Sequence, residues 1–185
     1  HIDIGSLERV EVLRGPYSAL YGNSSGGMVQ LWSADGAPGD PWRLKASHGR
    51  DDTTSVSAQL LGGSETLGYN LALSRFDTDG WRDHSAARRD SANAKLRLDF
   101  GDRRRLDVVA NHVDIDAQDP LGLTAAQVRE NPRQVAAVAR QFDTRKTVRQ
   151  TQAGAVYEHG LGEAHTLRAM AYGGERAVVQ YLPIP

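Results

Sequence analysis

No cysteine occurs among the 185 residues. Disulfide staples, thiolate metal sites and cysteine nucleophiles are excluded together. No run of about 18 apolar residues exists, so the sequence offers no membrane-crossing helix. Neither sign of charge dominates. Lys+Arg number 22 against 23 Asp+Glu, for a net charge of −1. That balance excludes a nucleic-acid binder working through bulk positive charge. Aromatics are sparse at 6%. The start, His1-Ile2-Asp3-Ile4, has no basic, apolar leader and no methionine. The sequence is therefore expected to be an internal piece of a longer chain.

Catalytic patterns are missing as well. There is no phosphate-binding loop and no H-x-x-x-H pair. Asp77, Asp79, Asp114, Asp116 and Asp119 hint at calcium, but none has the spacing of an EF-hand, with its glycine and distal glutamate. The expectation is a protein that is not an enzyme, with no catalytic residue, no metal site and no cofactor.

What is present changes character near residue 40. Before it, short apolar runs stand between glycines. Residues 7–13 alternate well enough for a strand, Gly15-Pro16 ends it, and residues 28–32 form a second strand. Residues 35–41 hold two prolines and two glycines and look like a linker. Beyond them the period is two. In residues 94–100, Ala94, Leu96, Leu98 and Phe100 share one face, and Lys95, Arg97 and Asp99 the other. Similar segments lie near 42–49, 53–62, 67–76, 104–115, 147–158 and 164–182, giving about seven strands. Tight Gly-rich connections alternate with long ones at 77–90 and 116–146. Strands of about ten residues with one apolar face and alternating loop lengths suit a transmembrane β-barrel. A soluble β-sandwich binding module, carbohydrate-directed for instance, alternates in the same way. The sandwich requires a second sheet over the apolar face, whereas the barrel requires lipid there.

The long 116–146 segment has internal order. Thr124 and Gln127 stand at capping-box spacing. Asn131-Pro132 repeats a helix-start signal with Pro132 at the first helical position. Val135, Val138 and Phe142 would fall on one helical face. Two short helices are expected.

The segment LERVEVLRGPYSALYG at residues 7–22, continuing as NSSGGMVQL to residue 31, resembles the end of the plug domain of TonB-dependent outer-membrane receptors, of the siderophore-receptor kind. DGWRDHS at residues 79–85 resembles an early extracellular loop of the same receptors. The resemblance implies a mainly β fold: the C-terminal part of an α/β plug, then about seven antiparallel strands of a 22-stranded transmembrane β-barrel. It divides the chain into residues 1–35 (plug end), 36–41 (linker) and 42–185 (first part of the barrel). It implies a receptor in the bacterial outer membrane that takes up a ferric siderophore or a similar scarce ligand. Its partners would be that ligand, outer-membrane lipid and TonB, whose contact box is not in this sequence. No nucleic acid is implied. Ligand contacts are expected from Tyr21, Asn23 and Ser24 in the plug loop and from Trp81, Arg82 and His84 in the barrel loop. Tyr21 could instead pack the plug, and the loop residues could cap the loop. Glu11 and Arg14 are expected to form plug–barrel salt bridges.

Overall fold

A computed structural model describes residues 4–16 and 26–183. A 3₁₀ turn at Ile4–Ser6 leads into β1 (Leu7–Arg14), which pairs antiparallel with β2 (Gly27–Ser33). Then follow β3 (Arg43–His48), β4 (Thr54–Gly63), β5 (Leu67–Thr78), β6 (Ala87–Asp99), β7 (Arg104–Gln118), β8 (Arg145–Leu161) and β9 (His165–Tyr181). These seven make one sheet in chain order, each strand antiparallel to the next. The β6–β7 turn shows why the connections can be so tight. Gly101, Asp102 and Arg103 all take positive φ, and Phe100 N–H donates to the Arg104 carbonyl at 2.9 Å. Among the described residues no helix is long and apolar enough to cross a membrane.

Directly opposed residues share a face of a sheet, so the register sorts every side chain. On one face Leu60, Leu71, Ala94, Ala110 and Ala153 are successive partners across β4–β8. The rows toward the tight turns are equally apolar: Tyr69, Leu96, Val108 and Ala155, then Leu67, Leu98, Leu106 and Tyr157. Among the described residues no second sheet covers these side chains; Leu71 is 41% exposed and Leu73 62%. The band from Leu67 to Leu73 spans six residue steps, roughly 20 Å along the strand at about 3.3 Å per residue. Beyond it the same face turns ionic. Arg75 faces Asp90, and Asp114 faces Arg149. Arg88 lies between Asp77 and Asp116. Arg88 binds Asp77 at 2.9 Å and Arg149 binds Asp114 at 2.9 Å.

That ionic collar explains where the strands exceed the sequence expectation. β6 begins at Ala87, seven residues before the apolar alternation starts at Ala94. In this stretch both faces are polar, so alternation carries no signal although the ladder continues. β8 likewise begins at Arg145. The intervening segment contains α1 (Ala125–Glu130) and α2 (Ala137–Gln141). The Thr124–Gln127 capping box forms as expected, with both reciprocal bonds present. The second helix starts later than Pro132. Asn131 turns its side chain onto the Arg133 N–H at 2.9 Å and makes a turn there. The buried residues around α2 are Ala136 and Ala139, whereas Val138 and Phe142 stay more than a third exposed.

The turn ends of the sheet are staggered. Leu67, the first residue of β5, sits in the row of Leu106 and Ala169. β7 starts two residues below that row, at Arg104, and β9 four below, at His165. The step is one residue per strand. With strands about 4.8 Å apart and about 3.3 Å per residue, it corresponds to a tilt of about 35°, the value a closed barrel needs.

Candidate functional site

The other face of the seven-stranded sheet carries the β1–β2 segment. Asn70, 2% exposed on β5, donates from Nδ2 to the Ser6 carbonyl at 2.9 Å and to the Ala34 carbonyl at 3.1 Å. Its Oδ1 accepts from Gln59 Nε2 at 3.0 Å. One buried amide thus closes three contacts that would otherwise leave polar groups unpaired. Beside it, Asp35 receives Lys95 and Arg97 of β6. Lys95 also donates to the Ser33 carbonyl at 2.9 Å. Gly36 follows at φ 76°, and a Cβ there would run into the carbonyls of Tyr69 and Gly62. Only glycine lets the chain pass so close to the wall.

The junction continues sideways as a ladder of ion pairs. Arg97 binds Asp107 at 2.8 Å, and Arg105 binds Asp107 at 3.3 Å. Arg105 and Arg168 then share Glu158, at 2.5 and 3.3 Å. This ladder floors a cavity of about 490 Å³ between β1–β2 and the sheet, closed on the other side by Arg9, Leu31 and Trp32. Arg9 stacks on the Trp32 ring at 4.8 Å.

Nearer the long loops the same face forms a larger groove of about 700 Å³ across β7–β9. On this face its polar lining comes from Asn111, Gln150, Gln152, Tyr172 and Arg176, with Gly154 and Gly174 between them, while Thr151 and Glu175, of opposite parity, border it. A Cβ on Gly174 would lie 2.5 Å from the Thr151 carbonyl oxygen and 2.6 Å from the Gln152 Cβ. The groove has the volume of a small-molecule site. Tyr172 is 84% exposed into it. A tyrosine, an arginine and several amides can hold an oxygen-rich ligand by stacking and charge-assisted hydrogen bonds. None of these groove residues stood out in the sequence. Their one signal is parity: each sits on the polar face of its strand.

The inner face is also electrostatically one-sided. Its strand cations are Arg43 and Lys45 on β3, Arg89, Lys95 and Arg97 on β6, Arg105 on β7, Lys146 on β8, and Arg168 and Arg176 on β9. Its strand anions are Asp99, Asp107 and Glu158 alone.

The predicted site residues fall into three groups. Tyr21, Asn23 and Ser24 lie outside the described residues. Trp81, Arg82 and His84 come together in the loop after β5, and their contacts run to the loop carrying α1 and α2. Arg82 donates to the carbonyls of Leu121 at 2.7 Å, Pro120 at 3.2 Å and Gln134 at 2.9 Å. His84, held at φ 59°, places Nε2 2.9 Å from the Thr144 carbonyl. Trp81 lies under Arg133 at 5.8 Å and keeps half its surface exposed. Glu11 binds Arg9 on its own strand at 3.2 Å. Among the described residues neither Glu11 nor Arg14 meets a charge of the seven-stranded sheet; Asp35 does. Asp35 drew no attention in the sequence because a lone aspartate beside a Gly-Pro linker carries no pattern.

Arg82 holds three carbonyls at once, so its removal should free the α1–α2 loop. Arg82→Ala is expected to speed proteolytic cleavage within residues 119–144 by more than tenfold while the strands stay intact. Equal cleavage in variant and wild type would show that the loop is held by other contacts.

No protein-family model matches the chain. Solved structures do. The ferric citrate transporter FecA in its unliganded form superposes with a TM-score of 0.78 at 20% identity, over 98% of this chain and 28% of FecA. The ferric yersiniabactin uptake receptor FyuA from Yersinia pestis gives 0.77 at 15% identity, over 95% of the chain and 29% of FyuA. The ferric-catecholate import receptor Fiu from E. coli K12, in its open form, gives 0.71 at 19% identity, over 94% and 29%. The chain spans less than a third of each of these proteins, which are transporters and receptors rather than enzymes. At these identities the likeness is one of fold: the chain carries the fold of part of a TonB-dependent receptor barrel, as the motif at residues 7–31 implied.

Proposed function

We propose that the chain belongs to an outer-membrane receptor that takes up a ferric siderophore or a similar scarce chelate, with energy delivered through TonB. In this reading residues 1–35 are the end of a plug, residues 36–41 are the linker and residues 42–185 are the first part of the barrel wall. The apolar band meets outer-membrane lipid, and the ionic collar stands above it on the loop side. The receptor performs no covalent chemistry; its work is binding and gated release. Tyr21, Asn23 and Ser24, with the open face of Trp81, contact the ligand. Arg82 and His84 fix the loop that presents Trp81. Glu11 and Arg14 pair with wall charges on strands beyond these seven.

One observation carries the reading. A separate two-stranded segment is pinned by Asp35 and Asn70 to the polar face of a staggered sheet. The opposite face of that sheet is an uncovered apolar band. A soluble sandwich would cover that band, so the geometry favours a wall in lipid with a plug inside. The test is radio-iron uptake by iron-starved cells. Deleting the gene encoding this chain, or removing TonB, should abolish uptake of the cognate chelate. Recovery of the full-length protein in the soluble fraction would overturn the proposal.

A further inference from the structure

We infer that the cargo of this receptor is a chelate of net negative charge, recognised by the unmatched cations of the inner wall. The inference rests on the receptor reading above and adds the chemical class of its ligand.

The inner face divides at the row of Arg97 and Asp107. Its three anions, Asp99, Asp107 and Glu158, lie in that row or on the tight-turn side of it. There the cations are matched: Arg97 by Asp35 and Asp107, Arg105 by Asp107 and Glu158, and Arg168 by Glu158. On the loop side of that row the strands carry Lys95, which Asp35 matches, five further cations, Arg43, Lys45, Arg89, Lys146 and Arg176, and no acid on this face. Among the described residues none of these five pairs with a carboxylate. Arg43 bonds the Gln59 amide at 3.1 Å, and Arg89 lies over the Phe76 ring at 5.9 Å. Arg176 lines the 700 Å³ groove, and the one acid bordering that groove, Glu175, belongs by register to the opposite face.

The outer face shows that this is not the ordinary charge of the chain. Its collar intermixes Asp77, Asp90, Asp114 and Asp116 with Arg75, Arg88 and Arg149, close to neutral. Like charges gathered in a concave, low-dielectric wall focus the field and concentrate counter-ions. Arginine binds carboxylate and other paired oxygens through two parallel N–H donors. A chelate that presents such oxygens satisfies cations that no described carboxylate pairs.

The test uses the full-length receptor in its native outer membrane. Radio-iron uptake is compared for a ferric citrate or tris-catecholate complex, a neutral tris-hydroxamate, and a tris-hydroxamate bearing a free ammonium. The anionic complex should enter at least tenfold faster than the other two. The R89Q/R176Q variant should lower that uptake at least tenfold at unchanged outer-membrane abundance, and R176K should retain part of it. If the double variant fails to assemble, the charge series on the wild type decides alone. Preferred uptake of the neutral or cationic chelate overturns this inference and leaves the receptor reading standing. Uptake of none of the three overturns both.

Discussion

Asp35→Ala is expected to weaken the hold of the first segment on the wall by about 1.5–3 kcal/mol, the range for hydrogen bonds to charged groups. The carboxylate bridges Lys95 and Arg97, whose side chains are 15% and 31% exposed. Stripping one partner from a fully buried ion pair costs more, about 3–5 kcal/mol. Here the loss is smaller, because neither cation is left alone. Lys95 keeps the Ser33 carbonyl and Arg97 keeps Asp107. Asp35→Lys removes that cushion by placing a third cation beside the other two, and it should block assembly of the segment altogether. The measurement is urea-dependent protease cutting within residues 36–41 of the full-length protein in vesicles. D35A should become accessible at lower urea than wild type, with the wall unfolding unchanged. Coincident urea midpoints for the two proteins would remove Asp35 from the role of anchor.

Leu71→Arg should cost about 2–4 kcal/mol, the penalty for a guanidinium near the bilayer midplane on a barrel's lipid face. Leu71 lies in the middle rows of the apolar band, with Leu60 and Ala94 as neighbours. Leu73→Arg, one row nearer the collar, should cost less. Arg75, one row further, already occupies a position on this face opposite Asp90 and shows where the penalty ends. Urea unfolding of the full-length protein in lipid vesicles gives the gradient. The same substitution separates the two readings of the alternating pattern. Leu71 is 41% exposed, and a change at such a surface site in water is worth within about 0.5 kcal/mol. A flat response across positions 71, 73 and 75 would mean that no lipid touches this face.

The fold was legible wherever one face of a strand is apolar. Residues 94–100 declared their strand because Ala94, Leu96 and Leu98 alternate with Lys95, Arg97 and Asp99. Residues 87–93 continue the same strand unannounced, since Arg88 and Asp90 on one face and Arg89 and Ser91 on the other are all polar. The capping box at Thr124 was legible because its two bonds are local. The late start of α2 was not, because Asn131 had to choose between capping a helix and closing a turn. The candidate site was harder still. Trp81, Arg82 and His84 drew notice as an aromatic, a cation and a histidine in a loop, but a sequence does not show which carbonyls an arginine will find. Asp35, Arg176 and Tyr172 matter through neighbours 18 to 62 positions away, and only the register brings those together.

The stagger of the sheet has a consequence for how anything reaches the groove. The turn ends step down one residue per strand, but the loop ends stay level along the register, at Thr78, Ala87, Gln118, Arg145 and Tyr181. In a tilted wall this raises the lip progressively, since β5 has 12 residues and β9 has 17. Five extra residues at about 3.3 Å, tilted by about 35°, make the β9 side stand about 14 Å taller than the β5 side. The mouth on this side is shaped like a scoop, with its high back at β8–β9. A solute drifting over the low front meets that back first, and Arg176, five residues below Tyr181, stands level with that front.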